Sequence, residues 1–287
     1  MPNENTHIFL AEKILEALPE KIKHILKDNI QVYYLGSIIP DCFFYNKKTT
    51  YFARILHGRY GEKTNKIIFE LLENSKTDAD FSFALGYITH CATDIIWHPM
   101  VYYFSGKEES DVYQHHVIET FIEKKYTKKR ISEINVDMLD EIGTIPVFSR
   151  YLGLDAYELM KKLLKRQTLV VRLSSCAPCY YIAKLLRPFI HAPGYLGLFH
   201  SAQKPNILPK TINYKHPVTG TKYKKTTDDL AKENVSLGVK MIINAYGYKN
   251  HTLQKKNCEE VLSGQSLITG LVGKGISEIK YTKNDSD

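Results

Sequence analysis

One short stretch of the chain places three metal-binding side chains four residues apart. It reads HCATDIIWHP and covers residues 90–99. Residues three or four positions apart are neighbours on the face of a helix, so His90 and Asp94 could bind one metal ion together. His98 lies roughly 12 Å from His90 at about 1.5 Å of rise per residue, which is too far to share that ion. The spacing therefore predicts a second metal ion.

A second segment, HHVIE at residues 115–119, repeats this spacing with His115 and Glu119. These two side chains could complete the coordination of the ion that His98 begins. Imidazole and carboxylate groups are the ligands that zinc takes in sites that keep one position open for water or substrate. One such pair alone is more often a surface pair on a helix. Two pairs preceded by further candidates favour a metal site, and those candidates are His7, Asp41 and His57.

The order and composition of these segments resemble the zinc-dependent phospholipase C family, which includes the catalytic domain of glycosylphosphatidylinositol-specific phospholipase D. The resemblance is clear over about residues 6 to 120. It implies an all-α, multihelical single-domain fold over residues 1–287, with a metal cluster in a cleft between helices. The matching segments are THIFLA (6–11), LGSIIPD (35–41), HG (57–58), FALGY (83–87) and the two metal-binding motifs.

The resemblance also implies how the candidate ligands share two to three zinc ions. Asp94 would bridge two close ions, of which one is completed by His57 and His90 with Asp41 beside them. His7 would hold the other bridged ion. Asp41 would be the catalytic residue, because it could orient the attacking water or accept its proton. The third ion would neutralise charge on the phosphate and the departing alkoxide, and its ligands would be His98, His115 and Glu119.

The N-terminus departs from the family pattern. Secreted members use an N-terminal tryptophan as a ligand of the ion shared with the first histidine, whereas this chain begins Met1-Pro2. Removal of Met1 would leave the imino group of Pro2 five residues before His7, which is the spacing of the related three-zinc single-strand nucleases. Pro2 is therefore a candidate ligand.

The headgroup pocket departs from the pattern as well. Choline-selective members carry aromatic residues where this chain has Cys42 and Arg54. A quaternary ammonium group requires an aromatic cage, so phosphatidylcholine is not the expected substrate. Arg54 could contact the phosphate or an anionic headgroup, or it could be an ordinary surface arginine.

These residues predict a metal-dependent phosphodiesterase, and first of all a phospholipase C that acts on phospholipid headgroup esters. One alternative is a three-zinc single-strand nuclease or nucleotidase, which would bind nucleic acid. Such enzymes usually carry HxxxD where this chain has His115 and Glu119, which favours the lipase. The other alternative is a zinc- or lipid-binding protein without turnover. Asp41 argues against it, because a binding protein has no need of a general base.

Composition adds limits to this prediction. The chain has 287 residues, of which 44% are hydrophobic and 24% charged, as in ordinary globular proteins. A net charge of +8 favours anionic partners, including lipid surfaces. The aromatic residues 43–45, 51 and 52 with Lys47 and Lys48 could contact a membrane peripherally, although packing of the aromatic residues in the core explains them better. The sequence shows neither a transmembrane segment nor a signal peptide, so a cytoplasmic location is expected.

Hydrophobic periodicity predicts helices throughout and no strand. The expected helices cover about residues 7–18, 19–26, 62–74, 78–98, 111–126, 156–166, 169–186, 227–245 and 258–271. Loops are expected at 46–50, 105–110 and 205–225, and a frayed tail at 280–287. The pair Cys176 and Cys179 has the CxxC spacing of redox and zinc sites, but two buried thiols in a bent helix explain it better.

Overall fold

The computed structural model describes residues 4–108, 111–126, 133–174, 193–195 and 209–283. These residues form a predominantly helical single domain, which confirms the all-α prediction. Pro2, Cys176 and Cys179 lie outside the described residues. The helices are α1 (Glu4–Ala17), α2 (Glu20–Asp28), α3 (Ile30–Cys42), α4 (Thr50–Leu56), α5 (Asn65–Asn74), α6 (Asp78–Ser105), α7 (Val112–Tyr126), α8 (Pro146–Leu152), α9 (Ala156–Ser174), α10 (Thr227–Lys249) and α11 (Lys255–Glu259), and the strands are β1 (Ile212–Lys215) and β2 (Lys222–Lys225).

Helix α6 is the centre of the fold. It has 28 residues and is buried almost all round, because α1, α3, α5, α7 and α10 all pack against it. A capping box fixes its start, in which Thr77 accepts a hydrogen bond from the backbone N–H of Asp80 and Asp80 accepts one in return. The helix continues past the predicted end at His98, through Pro99, to Ser105. No helix of the described residues is long and apolar enough to cross a membrane.

Two glycines allow α3 and α6 to cross in backbone contact. A Cβ atom on Gly36 would lie 2.2 Å from the carbonyl oxygen of Phe83, and one on Gly86 would lie 2.0 Å from that of Tyr33. Any side chain at either position would therefore push the helices apart. The crossing positions the candidate site, since α3 carries Asp41 near its end and α6 carries the 90–98 motif.

We expect Gly86→Ala to lower the free energy of unfolding by about 2–3 kcal/mol, because the added methyl group meets backbone that cannot move aside. Denaturant unfolding measures the change. Gly238→Ala is the matched control, since the new methyl group there meets only the flexible side chain of Ile14. Equal stability of the two variants would contradict a backbone contact between α3 and α6.

Three helices of the structure were not predicted from the sequence, namely α3, α4 and α8. Helix α3 contains Gly36 and Pro40, which disfavour helix, but burial of nearly all its residues outweighs their propensity. The prediction of a helix at 258–271 was wrong beyond α11. Gly264 and Gly270 have φ angles of +74° and +71° there, and the chain forms turns. The described part of the predicted pair 156–166 and 169–186 is one helix, α9.

The predicted loop at 205–225 contains a β-hairpin within its described residues. Strands β1 and β2 pair antiparallel, with Tyr214 opposite Tyr223 and their rings stacked at 5.1 Å. Ile212 and Tyr214 point inward and pack with Trp97 on α6. Each strand has only four residues, and β2 has Tyr223 as its one apolar residue, so the alternation is too short to detect. This explains why hydrophobic periodicity did not reveal it.

Candidate metal centre

Five of the predicted ligands meet in one buried group, to which α1, α3, α4 and α6 all contribute. His7 lies on α1 and Asp41 on α3, His57 follows the last residue of α4, and His90 and Asp94 lie one turn apart on α6. Each of the five is at most 1% exposed. The rings of His7 and His90 stack at 4.1 Å between centroids. Residues spread over 88 positions of sequence are thus brought together by the crossing of the helices.

The spacing of the nitrogen and oxygen atoms in this five-residue group fits a metal ion. The Nε2 atoms of its three histidines lie 3.1–3.6 Å from the carboxylate oxygens of Asp41 and Asp94. A tetrahedral zinc ion with bonds of 2.0–2.1 Å would separate its ligand atoms by about 3.4 Å. The Nε2 atom of His7 and both carboxylate oxygens of Asp94 are buried without a hydrogen bond. Buried polar atoms are rarely left unsatisfied, and a shared cation would satisfy these.

A second group lies beside the first and contains the other three predicted ligands. The Oε1 atom of Glu119 is 2.8 Å from His115 Nε2 and 3.6 Å from His98 Nε2. Glu119 is fully buried, and its other oxygen lies 3.4 Å from His116 Nδ1. The two groups adjoin, because His98 Nδ1 is 3.7 Å from Asp94 Oδ2. The structure therefore brings together all eight side chains predicted from the sequence.

Backbone carbonyl groups orient three of the imidazole rings. His57 donates from Nδ1 to the oxygen of Ala53 at 2.7 Å, and His90 donates to that of Ser37 at 3.0 Å. His98 donates in the same way to Leu267. Each bond uses Nδ1 and directs Nε2 into its group, which is the arrangement of metal-binding histidines. Sequence patterns gave no indication of Leu267, because a carbonyl contact carries no residue signature.

Burial sets the charge of three imidazole rings, whereas attraction to Asp41 and Asp94 outweighs burial at His90 and raises its pKa. Burial lowers the pKa of His7 and His115 well below the usual value and that of His98 to about 3. These rings are therefore neutral near pH 7, which is the form that binds metals. Burial alone would raise the pKa of Asp94, but attraction to the imidazoles of His98 and His90 outweighs it and holds this pKa well below the usual range. Asp94 is accordingly ionised.

Glu4 is a further buried carboxyl group beside the five-residue group, and no sequence pattern indicated it. It accepts hydrogen bonds from the Tyr45 hydroxyl at 2.6 Å and from Gln167 Nε2 at 3.1 Å. Burial raises the pKa of Glu4 to about 7, and repulsion from Asp41 contributes. Its ionisation in the folded state is therefore unfavourable.

We expect the Glu4 carboxyl group to make the metal-free protein less stable as the pH rises. The folded pKa exceeds the unfolded value, so the folded state holds an extra proton between about pH 4.5 and pH 7, and stability falls over that range and is constant above it. Glu4→Gln should be more stable than the wild type at pH 8 by about 3 kcal/mol, and by little at pH 4. Denaturant unfolding at the two pH values tests this. A difference independent of pH would contradict it.

A cavity opens onto both groups of ligands. His57 and His98 line it together with Arg54, Arg59 and Tyr102. The Tyr102 ring contacts the rings of His98 and His115. Arg54, the predicted headgroup or phosphate contact, is thus at the cavity wall. Cys42 is buried and belongs to neither group of ligands.

Comparison with known protein families identifies the family of this chain. The family model described as zinc dependent phospholipase C matches residues 6–168, which is more than half of the chain. The chain belongs to the zinc-dependent phospholipase C family. No curated protein and no solved structure matches it significantly. The family match continues to residue 168, past the motifs that end at Glu119, and it supports zinc and a phospholipid substrate for this member of the family.

Proposed function

We propose that this member of the zinc-dependent phospholipase C family hydrolyses phospholipid headgroup phosphodiesters by activating a water molecule, releasing diacylglycerol. The observation that carries the proposal is the convergence of eight buried imidazole and carboxylate groups at ligand spacing. Zinc bound by these side chains supplies Lewis acidity, which polarises a phosphoryl oxygen and lowers the pKa of a coordinated water. The five-residue group would hold two ions bridged by Asp94, and the second group would hold a third.

The protein's own residues contribute proton transfer and charge. Asp41 directs Oδ1 at His57 Nε2, 3.1 Å away, while its buried Oδ2 has no hydrogen bond. Oδ2 is the atom that would accept the proton of the attacking water. The guanidinium groups of Arg54 and Arg59 at the cavity wall would bind the phosphate oxygens. The surrounding helices exclude bulk water, which strengthens each of these interactions.

The deciding experiment measures zinc content by elemental analysis on protein purified without a metal-affinity tag. Hydrolysis of bis-p-nitrophenyl phosphate is followed before and after chelation. Hydrolysis of short-chain phospholipids with different headgroups is then measured in the same way. Bound zinc with chelator-sensitive release of phosphorylated headgroup would support the proposal. Release of the free headgroup instead would indicate D-type cleavage, and preferred hydrolysis of single-stranded DNA would favour the nuclease alternative. Full zinc loading without any turnover would indicate a binding protein.

Asp41→Asn tests whether Asp41 acts as a proton acceptor or mainly as a zinc ligand. We expect the variant to retain zinc and to lose roughly a hundredfold or more in kcat, the usual contribution of a general base. Asparagine keeps the size of the side chain and one oxygen that can contact the ion. Zinc content and turnover of the same preparation test the prediction. Loss of zinc in proportion to activity would show that Asp41 acts mainly as a ligand.

A further inference from the structure

An exposed apolar patch borders the cavity on one side. It consists of Tyr51, Tyr60 and Val272, which are 63%, 50% and 46% exposed, and we name it the tyrosine rim. The two tyrosine rings lie 5.9 Å apart. The loop that carries Val272 packs on the segment that carries Tyr60, since a Cβ atom on Gly61 would lie 3.1 Å from the carbonyl oxygen of Gly273. Three of the seven large exposed hydrophobic residues in the described part of the chain are thus gathered here.

The tyrosine rim differs from the aromatic residues next to it in sequence. Phe43, Tyr45 and Phe52 are buried, as expected for packing in the core. Tyr51 points away from that core, although it adjoins Phe52. An apolar patch of this kind on a protein surface usually marks an interaction site. A tyrosine suits the boundary between water and lipid, because its ring is apolar and its hydroxyl group can stay hydrated.

The tyrosine rim is connected to the cavity by short stretches of chain. Arg54 lies one helical turn after Tyr51 on α4, and Arg59 directly precedes Tyr60. Both arginines line the cavity. The tyrosine rim therefore adjoins two residues of the cavity wall along the chain.

The charge around the tyrosine rim indicates which kind of partner binds there. Residues 43–66 contain one acidic residue, Glu62, against six basic ones. Lys47, Lys48 and Lys63 are exposed. A second copy of the chain packed here about a twofold axis would bring these like charges together, whereas an anionic lipid surface would attract them. The basic residues of the segment are Lys47, Lys48, Arg54, Arg59, Lys63 and Lys66.

We propose that the tyrosine rim and the lysines beside it dock the protein on an anionic lipid bilayer, with the cavity opening towards the headgroups. The benefit of this docking rests on the proposed function, since a phospholipase must meet its substrate in a bilayer. The tyrosine rings enter the headgroup region, and the lysine side chains contact anionic headgroups from the water side.

Co-sedimentation of the full chain with vesicles tests the proposal. Vesicles of phosphatidylcholine with phosphatidylserine should bind the protein more tightly than vesicles of phosphatidylcholine alone. Tyr51→Ser/Tyr60→Ser should weaken this binding about tenfold or more. The matched control is Leu154→Ser/Leu169→Ser, because these side chains are 51% and 54% exposed and do not line the cavity. The control should bind like the wild type.

The charge component is tested separately. Lys47→Gln/Lys48→Gln should weaken binding to anionic vesicles roughly twenty-five-fold, since each lysine near such a surface contributes about fivefold. Lys222→Gln/Lys224→Gln on the exposed hairpin makes the same change of charge elsewhere and should have little effect. Melting temperature and zinc content check that each variant is folded.

Several results would overturn the proposal. These are equal binding by the wild type and the tyrosine variant, an equal loss in the leucine control, or a dimer in solution that the tyrosine variant dissociates. The proposed function can be contradicted independently of the docking proposal. Vesicle binding that depends on the rim, in a protein that hydrolyses no phosphodiester, would support docking and contradict the phospholipase. Hydrolysis of a soluble phosphodiester without vesicle binding would support the hydrolase activity and contradict docking.

Discussion

Asp94→Asn is expected to abolish phosphodiesterase activity and to release zinc from the five-residue group. The carboxylate of Asp94 lies 3.2–3.7 Å from nitrogen atoms of four histidines, so no other side chain in the site has as many candidate co-ligands. An amide cannot bridge two cations with two anionic oxygens. Loss of several kcal/mol of charge stabilisation corresponds to a decrease in rate of about a thousandfold or more. Elemental analysis and turnover of one preparation measure both effects.

Asp80→Asn is the matched control for this result. Asp80 lies on the same helix and is also buried, but its carboxylate accepts hydrogen bonds from the backbone N–H groups of Lys76, Thr77 and Thr144. We expect this variant to lose about 1–3 kcal/mol of stability and to keep its zinc. If Asp94→Asn retained the zinc content and rate of the wild type, the bridging role would be wrong.

Removal of zinc should lower the melting temperature by about 10 °C. A ligand present at about a thousand times its Kd stabilises the folded state by about 4 kcal/mol, and each kcal/mol shifts a domain of this size by roughly 2–4 °C. Without the ions, the buried carboxylates of Asp41, Asp94 and Glu119 lose their counter-charge. Thermal unfolding before chelation, after chelation and after return of zinc measures the change.

Magnesium and calcium provide the control for the melting experiment. Both ions prefer oxygen ligands, whereas five of the eight candidate ligands are imidazoles. They should restore little of the lost stability at concentrations where zinc restores most of it. A melting temperature unaffected by chelation, in protein that has lost its zinc, would contradict a structural contribution of the ions.

More of the candidate site than of the fold could be predicted from the sequence. Helical spacing related His90 to Asp94 and His115 to Glu119, because residues on one helix face need no tertiary information. Association of His7 and Asp41 with them depended on the family resemblance, since nothing local brings α1 and α3 to α6. Helix α3 itself was missed, because tertiary burial overrides the low helix propensity of its glycine and proline.

Glu4 and the carbonyl group of Leu267 show why the rest could not be predicted. Glu4 resembles any acidic residue in the first turn of a helix, and only the packing of Tyr45 and Gln167 around it reveals a buried carboxyl group. The same holds for the hairpin, where the pairing of Tyr214 with Tyr223 depends on a surface that α6 provides.

The contact between Leu267 and the site affects the order of events during synthesis. Leu267 N–H donates to the carbonyl oxygen of His57 at 2.9 Å, its own carbonyl oxygen accepts from His98, and Ser266 donates to Gly58. These residues lie about a hundred positions after the end of the family match. Chains emerge from the ribosome N-terminus first, so all eight candidate ligands are translated long before the carbonyl group that orients His98. The His98 ring therefore gains this backbone partner only after the segment around Leu267 has been translated.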